Sequence, residues 1–354
     1  MGEVRFDREV GQCPRCRKTH APLDHALGLG AGQKWTGGVR RKAALAGACN
    51  AYAPSSLLLR ELAGIEISSS QVDRIVQQEG ARAERRERER EEHYLEPVDP
   101  LKETPEPALR PERLVIEADA TCVLTVPGEE HKSVYCATTF DLAARGRAGE
   151  RPFIAERLYT ASAESMEDFG GRLKALAWRS GLRTAGACAF LADGARCLWK
   201  WAEENLPAGT VLIQDFWHVC EHLADLAKAL YGQECWTGSF ERWKAMLRAG
   251  EIDDVLDELH RKLPRRRGGP REKLQSEITY LEAGRQRMDY ARYEAAGWPI
   301  GSGAVEATCK HLVKQRLGAT GAQWRRANIP QIAALRVVIL NKEWEEFWET
   351  DEAA

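Results

Sequence analysis

The chain has 354 residues, a formal net charge of −2, 44% hydrophobic residues and 29% charged residues. This length is sufficient for roughly two or three domains, and the near-neutral charge excludes a protein that binds nucleic acid through its overall charge. Any such binding must come from a local patch of lysines and arginines. No apolar run is long enough to predict a membrane span. Ten scattered cysteines favour reduced thiols in a cytoplasmic protein over a disulfide framework.

Residues 1–50 form the first predicted region, which contains a pair of cysteines. Cys13 and Cys16, in GQCPRC, have the spacing of half a zinc ribbon. A complete ribbon requires a second pair of ligands, and the region offers only His20 and His25 nearby. Two interpretations therefore stay open, a partial zinc site at Cys13 and Cys16 or two plain thiols.

Residues 51–92 predict two helices joined by a tight turn. Leucines at helical spacing indicate the first helix, Gly64 ends it, and Ser68 with its capping-box partner Gln71 begins the second. Such a pair resembles a DNA-binding helix-turn-helix that has Gln71 and Arg74 on its outward face, and an ordinary helical hairpin is the alternative. The run ERREREREE that follows predicts a solvated helix face.

A proline-rich linker is predicted at residues 93–112, and strand and helix signals alternate after it. The runs RLVIEADATCVLTV, SVYCATTFDLAA and PFIAERLYTA indicate three strands, which are followed by helix, strand, helix, strand and helix. This order predicts an α/β ribonuclease H-like fold. The predicted architecture is a mixed five-stranded sheet with an all-α insertion, preceded by a small α-helical DNA-binding region. Residues 113–232 and 298–348 form the predicted catalytic domain, and residues 233–297 form the insertion.

Three acidic residues are predicted to lie together in this fold. Asp119 lies inside the first strand among apolar neighbours, where an unpaired carboxylate is costly. Asp193 ends the fourth strand, and Glu306 begins the last long helix. Carboxylates placed in this way can hold two Mg²⁺ or Mn²⁺ ions about 3.5–4 Å apart, and their hard oxygen atoms favour these ions over zinc. A solvated or salt-bridged acid is the alternative at each position.

Two patterns overlap in LIQDFWHVCEH. His218, Glu221 and His222 spell H-x-x-E-H, which is typical of a zinc metallopeptidase helix. Asp215 and His218 instead form a D-x-x-H pair at a strand-to-helix turn, where they would be accessory to the carboxylate site. An apolar stripe along the same helix indicates ordinary packing, so the peptidase is the weaker interpretation.

A basic strip follows Glu306. Lys310 and Lys314 are predicted to lie on the helix face that carries Glu306, because they are spaced by successive turns. The strip is extended by Arg316, Arg325 and Arg326. Cations beside a two-metal site would bind DNA phosphates without reading bases.

The chain from about Asp119 to Trp348 resembles bacterial insertion-sequence transposases of the DDE, Mutator-like kind. The stretches that carry the resemblance are LADGARCLWKW, VLIQDFWHVCEHL, GWPIGSGAVEATCKHLVKQRLGATGAQW and IAALRVVILNKEWEEFW. The N-terminal cysteine pair and LLLRELAGIEISSSQV are also similar to this family. In one departure, Ala120 follows Asp119, where the family usually has glycine.

The resemblance implies a catalytic triad of Asp119, Asp193 and Glu306, with Asp215 and His218 as accessory residues. It implies Mg²⁺-dependent nicking and strand transfer on double-stranded DNA at element ends, by a nucleoid-associated cytoplasmic protein. The need to join two DNA ends implies a homodimer or a higher oligomer. A transposase-derived DNA-binding protein without catalysis is the alternative, against which the three intact acids argue.

Overall fold

The structure is a computed structural model that describes residues 9–17, 19–26, 29, 34–95, 106–143 and 153–352. Residues 96–105, half of the predicted linker 93–112, lie outside these residues. The N-terminal elements are β1 (Gly11–Gln12), β2 (Thr19–His20), α1 (Pro22–Ala26), α2 (Gly37–Cys49), α3 (Tyr52–Ala63) and α4 (Ser69–Leu95). Gly64 ends α3 with a φ of 63°, a left-handed conformation that favours glycine. Ser68 and Gln71 form the predicted reciprocal capping box at the start of α4.

A mixed sheet of five strands forms the centre of the fold. Its strands are β3 (Arg113–Val123), β4 (Lys132–Ala143), β5 (Phe153–Ser162), β6 (Ala187–Ala192) and β7 (Val211–Gln214). They lie in the order β5-β4-β3-β6-β7. The strand β3 is antiparallel to β4 and parallel to β6, which is parallel to β7. This order and these directions confirm the predicted ribonuclease H-like fold class.

Helices cover both faces of the sheet. Side chains of the central strand β3 alternate between the two faces, so each face presents apolar side chains that a helix buries. The connecting helices are α5 (Met166–Arg179), α6 (Arg196–Asn205) and α7 (Phe216–Tyr231). Leu114 and Ile116 of β3 pack in one apolar cluster with α5 and α6, whereas Val115 packs in another with α7. The site residues at odd-numbered positions of β3 therefore lie on the α7 face.

The all-α insertion follows α7, as the fold class predicts. Its helices are α8 (Thr237–Arg248), α9 (Ile252–Lys262), α10 (Gly268–Gly284) and α11 (Tyr290–Ala295), with short 3₁₀ turns after α9 and α10. Trp243 and Tyr290 are fully buried where these helices meet α7. The insertion thus shares its core with the sheet face that carries the candidate site.

The last long helix changes its pitch in the middle. The C-terminal elements are α12 (Gly303–Thr308), a π-helical segment (Cys309–Lys314), α13 (Gln315–Leu317), α14 (Ile329–Leu340) and α15 (Trp344–Glu352). The buried Arg336 of α14 donates hydrogen bonds to the carbonyl oxygens of His311 and Leu312. Because these two carbonyl oxygens accept from a side chain, the hydrogen bonds within the helix shift here from the α-helical to the π-helical pattern.

The N-terminal helices and the C-terminal helices have one hydrophobic core. Val72 and Val76 of α4 belong to the same buried cluster as Ile332 and Leu335 of α14. At the crossing, a Cβ on Gly80 would lie 2.4 Å from the Cβ of Gln331. Residues 51–92 therefore pack directly on the predicted catalytic domain. Among the described residues, no helix has both the length and the apolarity needed to cross a membrane.

The charged run of α4 is only in part the solvated face that its alternating signs predict: Arg88 is 61% exposed, but other charges of the run are covered. Glu87 is 8% exposed, and Arg90 forms ion pairs with Glu87 at 2.7 Å and with Glu343 at 2.8 Å. Arg179 of α5 also pairs with Glu343, and Arg172 of α5 pairs with the same run. The prediction was wrong for the covered charges, because the partners Glu343 and Arg172 lie far away in the sequence.

Candidate active site

Asp119 and Asp193 lie at the same edge of the sheet. The last pair of the β3–β6 ladder is Glu117 with Leu191, and each aspartate follows two residues beyond that pair. Because side chains alternate along strands, both aspartates lie on the α7 face. Burial raises the pKa of the Asp119 carboxyl, and the negative charge of Asp193 raises it further. The fold therefore brings together these two predicted acids.

Among the described residues, the two carboxylates accept few hydrogen bonds. Asp119 accepts from the backbone N–H of Ala120 at 2.6 Å and from the Cys309 thiol at 3.7 Å. Asp193 accepts from the N–H of Ala195 at 3.0 Å. The side chain of Ala120 is exposed and alternates to the opposite face from Asp119, so its methyl group does not crowd the site.

Glu306 is exposed in the first turn of α12. Partial burial raises the pKa of its carboxyl, and the charges of Asp215 and Asp119 raise it further. Asp119 thus lies within the electrostatic influence of Asp193, and Glu306 within that of Asp119.

The acids do not form a closed metal cage. Among the described residues, no group of three or more His, Cys, Asp and Glu side chains is placed to hold a metal ion. Two features of the acids are nevertheless suited to Mg²⁺. Asp119, Asp193 and Glu306 offer only oxygen atoms as ligands, and both aspartates lie at the same edge of the sheet.

Asp215 connects β7, α7 and the segment that precedes α12. Its side chain is 1% exposed and caps α7 by accepting the N–H of His218 at 2.8 Å. The other carboxylate oxygen accepts both the N–H of Ser302, at 2.5 Å, and the Ser302 hydroxyl. The N–H of Phe216 also donates to the Ile300 carbonyl at 2.8 Å. With both of its oxygens engaged, Asp215 positions the start of the helix that carries Glu306.

Glu117 is a buried acid that the sequence analysis did not identify. It is 1% exposed and accepts the N–H of Val305 at 2.7 Å. Burial raises the pKa of Glu117 to about 8, although the hydrogen bond from Val305 acts in the opposite direction. The signal was present in the sequence, because Glu117 interrupts an apolar strand two residues before Asp119.

The histidines of H-x-x-E-H are engaged in a different network. The Nδ1 atom of His222 lies 2.8 Å from an Oε atom of the buried Glu277, and its ring stacks on Tyr280 with centroids 4.0 Å apart. Burial acts to raise the pKa of Glu277, but hydrogen bonds from His222 and Lys273 leave it lowered. Tyr280 donates to the Asp193 carbonyl at 3.2 Å, so the network reaches the acidic site. His218 lies beside His222, with ring centroids 4.9 Å apart.

The predicted basic strip is only partly on the surface. Lys310, Lys314 and Arg325 are exposed, and the half-buried Arg326 lies 3.5 Å from Glu130. Arg316 is 4% exposed and donates to the Gly47 carbonyl at 2.8 Å.

The assignment of Arg316 to the strip was therefore wrong. Its guanidinium lies between the rings of Tyr52 and Trp324, at 4.7 and 4.6 Å from their centroids. Burial lowers the pKa of this arginine. The helical spacing alone did not reveal that the N-terminal helices cover this side of the helix.

Gln71 and Arg74 lie on the outer side of α4. Together with Lys34, Trp35 and Gln78 of the same surface, they line an open cavity of about 210 Å³. Arg74 is exposed. The helix-turn-helix surface that the sequence predicts is thus accessible.

Cys13 and Cys16 lie in the turn between β1 and β2. Backbone N–H groups of Cys16 and Arg15 that point at the Cys13 sulfur lower the pKa of its thiol. Neither cysteine belongs to a group of three metal-binding side chains among the described residues, and the side chains of His20 and His25 lie outside those residues. Zinc binding here stays a prediction.

Comparisons with known proteins add little to this geometry. No family model matches the chain, and no curated protein matches it. Among solved structures, the chain is similar to the Drosophila P element transposase strand transfer complex, with 10% sequence identity and a TM-score of 0.29. The match covers 93% of this chain and 84% of that chain. Similarity at this level identifies neither a family nor an activity, so the fold assignment rests on the sheet itself.

Proposed function

We propose that the protein is a DDE transposase that nicks DNA and transfers strands at the ends of an insertion sequence. The observation that carries the proposal is the shared register of Asp119 and Asp193 at the edge of a ribonuclease H-like sheet. The helix α12 brings Glu306 into the electrostatic field of Asp119. Phosphoryl transfer depends mainly on positioning and on electrostatic stabilisation, and acids at such an edge would contribute to both.

Asp119, Asp193 and Glu306 would hold two Mg²⁺ or Mn²⁺ ions. Bound there, the ions would lower the pKa of an attacking water or 3′-hydroxyl and stabilise the oxygen that leaves phosphorus. The acids favour a cation because it relieves the mutual repulsion that raises the pKa of Asp119 and Glu306.

Other residues of the chain would position the acids and the DNA. Asp215 and Glu117 hold the start of α12 through the N–H groups of Ser302 and Val305. The exposed cations and the outer side of α4 would bind double-stranded DNA: Lys310, Lys314, Arg325, Arg326, Gln71 and Arg74. Joining two DNA ends would require a homodimer or a higher oligomer, acting at the nucleoid.

The test is a nicking assay with the purified full chain and DNA taken from both flanks of its gene. We expect specific nicks with Mg²⁺ or Mn²⁺ but not with Zn²⁺ alone. Asp193→Asn should abolish them, whereas Asp225→Asn, which changes an exposed acid of α7, is the matched control. Nicks that persist in Asp193→Asn would contradict the proposed site.

A DNA-binding protein without catalysis is the second candidate. It is favoured by the lack of a closed metal cage among the described residues. The same assay separates the two functions, since this candidate would bind the flanking DNA and leave it intact with every metal. A zinc peptidase is not proposed, because His222 is already engaged by Glu277 and Tyr280.

A further inference from the structure

A cavity of about 900 Å³ opens beside Asp193, between α6 and the insertion helix α10. Gly194, the residue after Asp193, lines it, and so does Tyr280, whose hydroxyl donates to the Asp193 carbonyl. Gly194 has a φ of 116°, and a Cβ there would lie within 3.2 Å of the Gln214 side chain. Gln214 is 1% exposed and also contacts Gly284 of α10. Two glycines therefore let the cavity reach down to the end of β6.

The walls of this cavity are positively charged. Arg196, Lys200 and Arg287 line it, and Glu203 is the acid among its lining residues. Glu203 is neutralised by Arg287 at 2.6 Å, while the exposed Arg196 has no ion pair with a described residue. The side chain of Lys200 is 76% exposed and lies 3.8 Å from Glu204. The wall therefore has exposed cations, and its acid is already paired with Arg287. Such a wall attracts a polyanion.

A second cavity in the described part of the chain has the opposite charge. The cavity of about 300 Å³ between α4 and α5 is lined by Glu91, Glu92, Glu164 and Asp168, with two arginines. Its excess of carboxylates would repel phosphate. Of these two cavities, the cation-lined one adjoins Asp193, through Gly194 and Tyr280.

We propose that the cleft between α6 and α10 holds an unpaired DNA strand that adjoins the reacting phosphodiester, with Arg196 and Lys200 on its phosphates. The inference rests on the proposed function and deepens it. The size of the cleft favours a single strand, because a cube of 900 Å³ has an edge of about 10 Å. A duplex is wider than this, since its major groove alone is about 12 Å wide. Because Arg196 and Lys200 would contact phosphates and not bases, they would bind such a strand independently of its sequence.

The chain contains its own probe for this cleft. Cys197 is exposed and lines the cavity, whereas Cys235 is exposed in the turn after α7 and is not a lining residue. A maleimide reagent can label the full chain with and without a single-stranded oligonucleotide, and peptide mass spectrometry can quantify each cysteine. We expect labelling of Cys197 to slow in proportion to the bound fraction, and labelling of Cys235 to stay unchanged.

Charge variants provide an independent readout. In anisotropy titrations with the same oligonucleotide, the double variant Arg196→Ala and Lys200→Ala should reduce the salt dependence of log Kd by about 0.7 for each phosphate that the protein no longer binds. Arg292→Ala, which removes an exposed cation of α11, should leave it unchanged. All of these side chains are on the surface, so the variants should fold.

The outcomes separate the inference from the function on which it rests. Unchanged labelling of Cys197 at saturating oligonucleotide, or protection by duplex DNA alone, would overturn the single-strand assignment. If the protein still nicks flanking DNA in that case, the proposed function stands without the cleft. A chain that binds neither single-stranded nor double-stranded DNA would refute both.

Discussion

Asp119 and Asp193 occupy equivalent positions, each two residues beyond the last pair of the parallel β3–β6 ladder. Asp193→Asn should therefore abolish nicking, by at least about 10³-fold if electrostatic stabilisation is lost, while DNA binding persists. The fold should be retained, because the asparagine oxygen can still accept the Ala195 N–H and the loss of one charge relieves Asp119 of a repulsive neighbour. Nicking assays, gel shifts and thermal melts would measure the three effects.

Asp215→Asn should behave differently from Asp193→Asn, although both residues follow parallel strands. Asp215 accepts hydrogen bonds from His218 and from two donors of Ser302, and an amide would turn an N–H group toward one of these donors. We expect a loss of about 2–3 kcal/mol in the free energy of unfolding, measured in urea. Nicking should slow about 10–100-fold without stopping, as for residues that support a metal ligand.

The combination of normal stability and no activity in Asp215→Asn would contradict this role. It would make Asp215 a direct metal ligand, and the triad would have to be reassigned. Ser302→Ala is the matched variant, because it removes the hydroxyl donor to Asp215 and leaves the backbone donor in place.

The sequence predicts elements that depend on local interactions. Ser68 and Gln71 form their capping box within one turn, and the apolar run of β3 is a property of a single strand. The order of strands and helices then leaves few topologies, and the ribonuclease H-like sheet is one of them. The sheet edge at Asp119 and Asp193 follows from this order.

The sequence does not predict features that depend on distant partners. Arg316 has the helical spacing of a surface cation, and only Tyr52 and Trp324 make it a buried one. The π-helical segment depends on Arg336, which lies on another helix. The same limit applies to Arg90, whose partner Glu343 is 253 residues away. Local spacing cannot distinguish a solvated charge from one covered by another part of the chain.

The basic residues after Glu306 should separate into two classes. Lys310→Ala and Lys314→Ala should weaken binding to all duplex sequences and reduce the salt dependence of log Kd by about 0.9 for each phosphate that is no longer neutralised. Arg316→Ala should instead lower the melting temperature, because it leaves the Gly47 carbonyl without its donor and opens a gap between two rings. If Arg316→Ala instead changed the salt dependence of log Kd and left the melting temperature unchanged, Arg316 would be a DNA-binding residue of the basic strip.

The insertion should have an acid-labile ion pair at Glu258. Hydrogen bonds from Arg242, followed by those from Lys262, lower the pKa of Glu258 from 4.5 to about 2, although burial opposes them. The resulting stability is fully present above pH 4.5 and is lost as the pH falls through about 2. A pKa unit corresponds to about 1.4 kcal/mol, and screening around the half-exposed Arg242 reduces the total to roughly 2 kcal/mol.

Glu258→Gln should therefore unfold more easily than the unmodified chain at pH 7, and the difference should vanish near pH 2. Urea titrations across this range would measure it. A constant difference at every pH would mean that the interaction is not electrostatic. Asp253→Asn, which changes a 61% exposed acid of α9, is the control.

Glu117 should act on nicking through the position of α12. It accepts the Val305 N–H from the strand that carries Asp119, and α12 carries Glu306. Because burial raises its pKa to about 8, Glu117 is mostly neutral at pH 7, and glutamine reproduces both its shape and its acceptor. We expect Glu117→Gln to retain nicking at pH 7, whereas Glu117→Ala should lose about 10–100-fold, as expected for a residue that positions a metal ligand. The measurement is the nicking rate of each variant, with its folding checked by circular dichroism. Equal losses in both variants would mean that the carboxylate itself takes part in the reaction.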